Sequence, residues 1–237
     1  MNDTTRHWAA SLADAWGIDA VLEPLPGEFD LNFRASARDG TVYVLKVMRE
    51  ECDAAFVSLL CAAHQHIRLR DPAVPVPGVV ATLAGTPWCV RRDGAGADRI
   101  LWLLTWLDGA EYSRFRPHSL SLAAGIGDAL TRLDRALRDF SHPALRRDFK
   151  WNLLQADWIG GHLEEITDAS RRAIVERVLR RYLALKPALL AEPPAVIHND
   201  LNDFNLLISH SGDDTPAVTG IIDFGDMMEG ALVAEID

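Results

Sequence analysis

Val196-Ile197-His198-Asn199-Asp200-Leu201-Asn202-Asp203-Phe204-Asn205-Leu206-Leu207-Ile208, then a polar turn, then Gly220-Ile221-Ile222-Asp223-Phe224-Gly225-Asp226: this stretch decides how the chain is read. Apolar runs alternate with short turns rich in Asp and Asn. That is the pattern of strands that bury their middles and carry carboxylates and amides at their ends. Such ends gather oxygen donors, and a hard cation such as Mg²⁺ takes carboxylate and amide oxygens, completed by water and phosphate. Asp223 and Asn205 are the expected ligands. Asp200, five residues before Asn205, is expected to face a substrate hydroxyl as a base. Asp and Asn are also ordinary turn residues. What carries weight here is the order: base loop, strand, polar turn, strand, metal aspartate.

His198-x-Asp200-x-x-x-x-Asn205 followed by Ile222-Asp223-Phe224-Gly225 resembles the catalytic and metal-binding loops of kinase-like phosphotransferases. The fuller wording, His-Asn-Asp-Leu-Asn-Asp-Phe-Asn with Ile-Ile-Asp-Phe-Gly-Asp, is similar to the aminoglycoside phosphotransferase and choline kinase superfamily, nearest its hydroxylysine kinase-like branch. The resemblance implies an α+β, bilobal protein-kinase-like fold. Residues 1–107 would form a nucleotide-binding lobe, an antiparallel sheet with one main helix. Residues 108–237 would form a mostly helical catalytic lobe carrying the acidic hairpin. It also implies ATP, or GTP, with Mg²⁺, and an adenine-binding hinge at about Leu104–Leu107.

Half of the 237 residues are apolar and about a quarter charged, as in a globular protein. The net charge of -10 is unevenly spread. From Pro187 onward the chain has ten acids and no Lys or Arg, while the preceding 186 residues balance at 24 against 24. An acidic field of this kind favours a metal or an amine and opposes nucleic acid. Asp213 and Asp214 read as solvated loop acids. Cys52, Cys61 and Cys89 are odd in number and lack Cys-x-x-Cys spacing, which argues against a disulfide framework or zinc and fits a reducing cytoplasm. No basic-then-apolar leader opens the sequence. Residues 72–90 are uncharged but contain four prolines, so they read as loop and strand, not as a membrane helix.

Taken in order, Trp8–Trp16 reads as a helix capped by Thr4 or Thr5 and ended by Gly17. Residues 18–25, 31–37 and 41–48 read as strands, the last two joined by the hairpin signal Arg38-Asp39-Gly40. The third strand holds Lys46 within an apolar run. A charge there must find an anion or reach solvent, and the resemblance makes it the lysine that contacts nucleotide phosphates. Pro26-Gly27-Glu28-Phe29-Asp30 stands where kinases place a phosphate-covering loop, although it has a single glycine. Glu50 or Glu51 to Arg70 reads as a helix. The resemblance asks that helix for an acid to pair with Lys46; the middle of the helix offers none, so either Asp53, Glu50 or Glu51 does so, or something else positions Lys46, or the nucleotide site is impaired. His64 and His66, two apart, point to different faces. Residues 79–83, 88–92 and 99–106 complete a five- or six-stranded sheet, with Trp102 and Trp106 expected to pack in a core. Residues 119–140 and 169–190 read as helices; Arg132, Arg135 and Arg138 line a solvent face of the first. Met227–Asp237 reads as the opening of another helix. Because the resemblance implies several helices beyond it, the chain is expected to be a fragment or a shortened homologue.

The expected function is phosphoryl transfer from a nucleoside triphosphate to the hydroxyl of a small cationic amino alcohol or hydroxy amino acid. Lys46 would contact the phosphates, Asn205 and Asp223 the metal, and Asp200 the hydroxyl, with His198 bracing the loop. Asp226, Glu229 or Asp203 could meet a substrate ammonium. Two rivals stand beside it: a catalytically impaired nucleotide-binding module of the same fold, and a metal-dependent hydrolase using His198, Asp200 and Asp223. The sequence leaves the oligomeric state open.

Overall fold

The computed structural model describes residues 3–210 and 215–235. Asp213, Asp214 and Asp237 lie outside them. Helix α1 (Asp3–Trp16) ends at Gly17, whose φ of +71° suits glycine. Thr4 and Thr5 lie inside this helix and do not cap it. Strands β1 (Ala20–Leu25), β2 (Leu31–Ala37) and β3 (Val42–Val47) follow as an antiparallel meander, and the β2–β3 hairpin turns at Arg38-Asp39-Gly40 as the sequence predicts. Helix α2 (Ala54–Arg70) starts later than expected. Asp53 is its N-cap, accepting from Ala55 N–H at 2.9 Å. Strands β4 (Val79–Val80), β5 (Trp88–Arg92) and β6 (Asp98–Thr105) complete a six-stranded antiparallel sheet, ordered β1-β2-β3-β6-β4 with β5 also on β6.

Alternation along β3 and β6 divides this sheet into two unlike faces. Leu45, Val47, Leu101 and Leu103 pack with Trp8, Leu12 and Trp16 of α1. Met48, Ile100, Trp102 and Leu104 pack with Val57, Leu60, Cys61 and Ile67 around α2. The expectation of one main helix is thereby corrected: each face is covered by its own helix. Trp102 is buried as expected, but Trp106 is only half-buried, with Arg34 over its ring and its N–H donating to Asp108 at 3.0 Å.

After β6 the chain crosses to the acidic hairpin. Strand β7 (Ala110–Glu111) pairs with β9 (Leu206–His210), and at Gly109 an added Cβ would lie 2.6 Å from Thr219 Oγ1 and 3.0 Å from Leu207 Cβ, so only glycine lets the crossing lie this close. Helix α3 (Leu120–Leu137) is capped by Ser119 and buries Leu122, Leu133 and Leu137, with Arg132, Arg135 and Arg138 outward. A 3₁₀ segment, Leu153–Glu165, packs against α4 (Ala169–Ala191). Strand β8 (Pro194–Ile197) precedes β9 (Leu206–His210) and β10 (Pro216–Ile221), which form the predicted antiparallel pair. The expected helix after Met227 is instead strand β11 (Met228–Ala231), paired with β8, followed by a short 3₁₀ turn, Leu232–Glu235. Among the described residues the second half thus carries five short strands beside its helices, more strand than expected. One apolar cluster runs from Val57 and Trp102 to Leu133, Leu206, Ile221 and Phe224, so α2, α3 and the hairpin share a core. Among the described residues no helix is long and apolar enough to cross a membrane.

Candidate functional site

The four residues singled out by sequence converge. Asp200 lies in the loop between β8 and β9. Asn205, buried at the foot of β9, donates its side-chain amide to Asp200 O at 2.7 Å and to Asp200 Oδ2 at 2.8 Å. Both targets are acceptors, which identifies the donating atom as the nitrogen and leaves Asn205 Oδ1 with its lone pairs. Asp223 follows β10. Lys46, on the α2 face of β3, brings its ammonium to 3.4 Å from Asp223 Oδ1 across 177 residues of sequence, with Nζ 5.9 Å above the Trp102 ring. This ammonium holds the Asp223 carboxyl below its ordinary value, against desolvation.

The acid that sequence reasoning sought on α2 is therefore not the partner observed. Asp53 caps its own helix, Glu50 and Glu51 are exposed, and Asp223 takes the Lys46 contact.

His198 is fully buried. Its Nε2 faces Ile222 O at 3.0 Å, so Nε2 carries the proton, and Nδ1 accepts from Asp200 N–H at 3.3 Å. Burial pushes its pKa below the ordinary value. One ring thus ties the base loop to the strand that delivers Asp223. Phe224 lies between His198, at 4.5 Å and tilted by 59°, and His64 of α2, at 4.6 Å and tilted by 58°. His64 Nδ1 donates to Leu60 O, 2.8 Å away, and burial drives its pKa down to about 4. His66 points elsewhere, to Asp139.

Two residues that the sequence did not single out for this purpose shape the loop. Glu235, nearly fully buried, accepts the backbone N–H of His198 on Oε1 and that of Asn199 on Oε2, each at 3.0 Å. This two-pronged hold supports Asn199 at φ +68°. Asn199 and Asp223, at φ +59°, are the non-glycine residues of the described chain with positive φ, and both are at the site, where strained backbone tends to be held by its surroundings. Arg147, stacked on Phe56 and Phe149, donates to Gly225 O at 2.8 Å and Met227 O at 3.3 Å. It also faces Asp226, whose pKa burial and the neighbouring Asp200, Asp223 and Glu28 carry up to about 6, against the pull of Arg147. Glu229 is paired to Arg146 at 2.9 Å. The acidic segment is unbalanced along the sequence but draws cationic partners from elsewhere in the fold.

The model of a family described as "Phosphotransferase enzyme family" matches residues 21–236. The hydroxylysine kinase of Mus musculus is 29% identical over 234 residues, covering 91% of this chain and 62% of that protein. The hydroxylysine kinase of Danio rerio is 27% identical over 231 residues, covering 93% and 64%. The chain thus spans somewhat less than two thirds of these curated relatives. Among solved structures, a microcompartment-associated aminopropanol kinase superposes with TM-score 0.70 at 20% identity, covering 96% of this chain and 71% of that one. The spectinomycin phosphotransferase APH(9)-Ia, solved with ADP and spectinomycin, gives 0.66 at 14% identity, covering 97% and 71%. These likenesses establish the α+β kinase-like fold.

Proposed function

This chain belongs to the phosphotransferase enzyme family, and on that premise we propose that it is a small-molecule kinase. It transfers the γ-phosphoryl group of ATP or GTP to the hydroxyl of an amino alcohol or hydroxy amino acid. The observation that carries the reading is the meeting of Lys46 with Asp223 at 3.4 Å, next to the Asp200 and Asn205 pair at 2.8 Å. A basic group on the sheet and an oxygen-donor cluster on the hairpin are the two halves of a triphosphate site. The two-lobed reading, with residues 1–107 and 108–237 meeting at a nucleotide-binding hinge near Leu104–Leu107, follows from the same premise.

The residues fit a magnesium ion. Asn205 keeps its amide oxygen for a ligand, and Asp223 offers a carboxylate that Lys46 keeps ionised. When bound, the ion supplies charge neutralisation for the triphosphate. Lys46 adds a cation for the phosphate oxygens. Asp200 orients the acceptor hydroxyl and takes its proton as the hydroxyl oxygen bonds to the γ-phosphorus and the bond to the bridging oxygen breaks, releasing the nucleoside diphosphate. His198 and Glu235 keep the Asp200 loop in place. Asp226, whose pKa is raised by burial and then by its acidic neighbours, would be favoured in its charged form by a nearby cation, which supports a substrate bearing an ammonium group. The three unpaired cysteines support a reducing, cytoplasmic setting.

The test is a phosphorylation screen of hydroxylated amines, with ATP and GTP in parallel and Mg²⁺ present. Transfer to at least one amine-bearing alcohol is expected. A nucleotide-induced thermal shift without transfer to any acceptor would favour the impaired binding module. A metal-dependent hydrolase draws less support, because both ring nitrogens of His198 already face backbone groups.

A further inference from the structure

We infer that Asn202 is a positioning residue for Asp200, its side-chain amide fixing one carboxylate oxygen while Asn205 fixes the other. The inference rests on the kinase reading above. Asn202 Nδ2 lies 2.8 Å from Asp200 Oδ1, and Asn205 Nδ2 lies 2.8 Å from Asp200 Oδ2. The identity of the donating atom follows from the other end of the amide. Asn202 Oδ1 is 2.8 Å from Phe204 N, and a backbone N–H can only donate, so the atom facing Phe204 is the oxygen and the atom facing Asp200 is the nitrogen.

Asn202 therefore does two separable things. Its oxygen closes a turn onto Phe204, as Asn and Asp do equally well, and its nitrogen holds the carboxylate, which only the amide can do. A carboxylate held at one oxygen pivots about its Cβ–Cγ bond. Held at both, it presents its remaining lone pairs in one plane, and a base that must meet a hydroxyl within hydrogen-bond reach gains from that fixity.

The substitution that separates the two jobs is Asn202→Asp, which keeps the turn acceptor and replaces the donor with an oxygen that repels Asp200. Compared with the wild type, kcat is expected to fall about tenfold or more, while the KM for nucleotide stays within about twofold and the unfolding temperature holds. Asn202→Ala, which loses both contacts, should lose kcat similarly and unfold at a lower temperature. Wild-type kcat in Asn202→Asp overturns the inference and leaves Asn202 a turn residue. If the wild-type protein itself phosphorylates no acceptor, the kinase reading falls, and crystal structures of the wild type and Asn202→Asp decide the positioning claim. An Asp200 carboxylate rotated out of its wild-type plane supports it, and an unchanged plane overturns it.

Discussion

The two faces of the six-stranded sheet are built from the same strands, yet they serve different ends. Toward α1, Leu45, Val47, Leu101 and Leu103 meet Trp8, Leu12 and Trp16, and the Trp16 indole N–H is satisfied by Val80 O at 2.9 Å. Toward α2, the alternate residues Lys46 and Trp102 lie beside Asp223, His64 and, through Phe224, His198. The α1 face meets its helix through apolar side chains. The other adds to its apolar core a run of three touching rings, His64, Phe224 and His198, that passes from α2 to the base loop. Both faces bury apolar side chains, and period-two alternation is what confines the polar site to the α2 side of the layer.

If that separation is real, damage to one face should spare the other. The largest effect is expected at the far end of the polar side. Asp200→Ala should cut turnover by up to roughly 10⁴-fold, the scale of a lost general base, while nucleotide-induced thermal stabilisation persists. Asp223→Ala should instead remove the Mg²⁺-dependent part of nucleotide affinity, measured by titration with and without the metal. On the α1 side, Trp8→Ala should cost about 4 kcal/mol of unfolding free energy in denaturant titration, with kcat of the folded fraction unchanged. A fall in kcat matching that at the α2 face would break the comparison.

The next effect is a pH dependence confined to the α2 side. His64 is held neutral in the fold with its pKa near 4, against an ordinary value of 6.5. Between those values the unfolded chain binds the proton that the folded chain refuses. Stability should therefore fall as pH drops below about 6.5 and level off near 4, by about 3 kcal/mol in all. His198 adds in the same direction. Denaturant titrations at pH 7 and pH 4.5 should show this loss in the wild type and a smaller one in His64→Phe. Smallest is Glu235→Gln, which sets an amide nitrogen against one of two backbone N–H groups. A loss of about 1–2 kcal/mol is expected, with the fall in kcat larger than any change in nucleotide KM. An unchanged kcat would show that the loop holds its shape without the buried carboxylate.

Much of this arrangement is legible in the chain. The β2–β3 hairpin and the strands around Lys46 and Trp102 declare themselves through alternation and turn chemistry, and Ser119 marks the start of α3. Asp200, Asn205 and Asp223 are adjacent in sequence to the strands that place them, so local spacing finds them. What escapes is set by contacts far along the chain. Glu235 reaches back to His198 and Asn199 over a gap of 37 and 36 residues, and no local pattern marks it. Met228-Glu229-Gly230-Ala231 is too short and too mixed for its pattern to separate strand from helix, and its pairing with β8 decides. Of the alternatives for Lys46, an acid on α2 or a group from elsewhere, the fold supplies the second, Asp223, and no local pattern chooses between them. The covering of the second sheet face by α1 depends on tertiary packing that periodicity alone does not report.

The alternation in β3 also limits where this chain can change length. One residue inserted between Val42 and Val47 would turn the strand inside out, driving the Lys46 ammonium into the tryptophan-lined layer beneath α1 and swinging Leu45 toward Asp223. The Arg38-Asp39-Gly40 turn tolerates such an event, since a methyl added at Gly40 would touch nothing within 4 Å and extra residues there leave the ladder in phase. Drift in length between related chains should therefore collect at that bend and stop short of the strand.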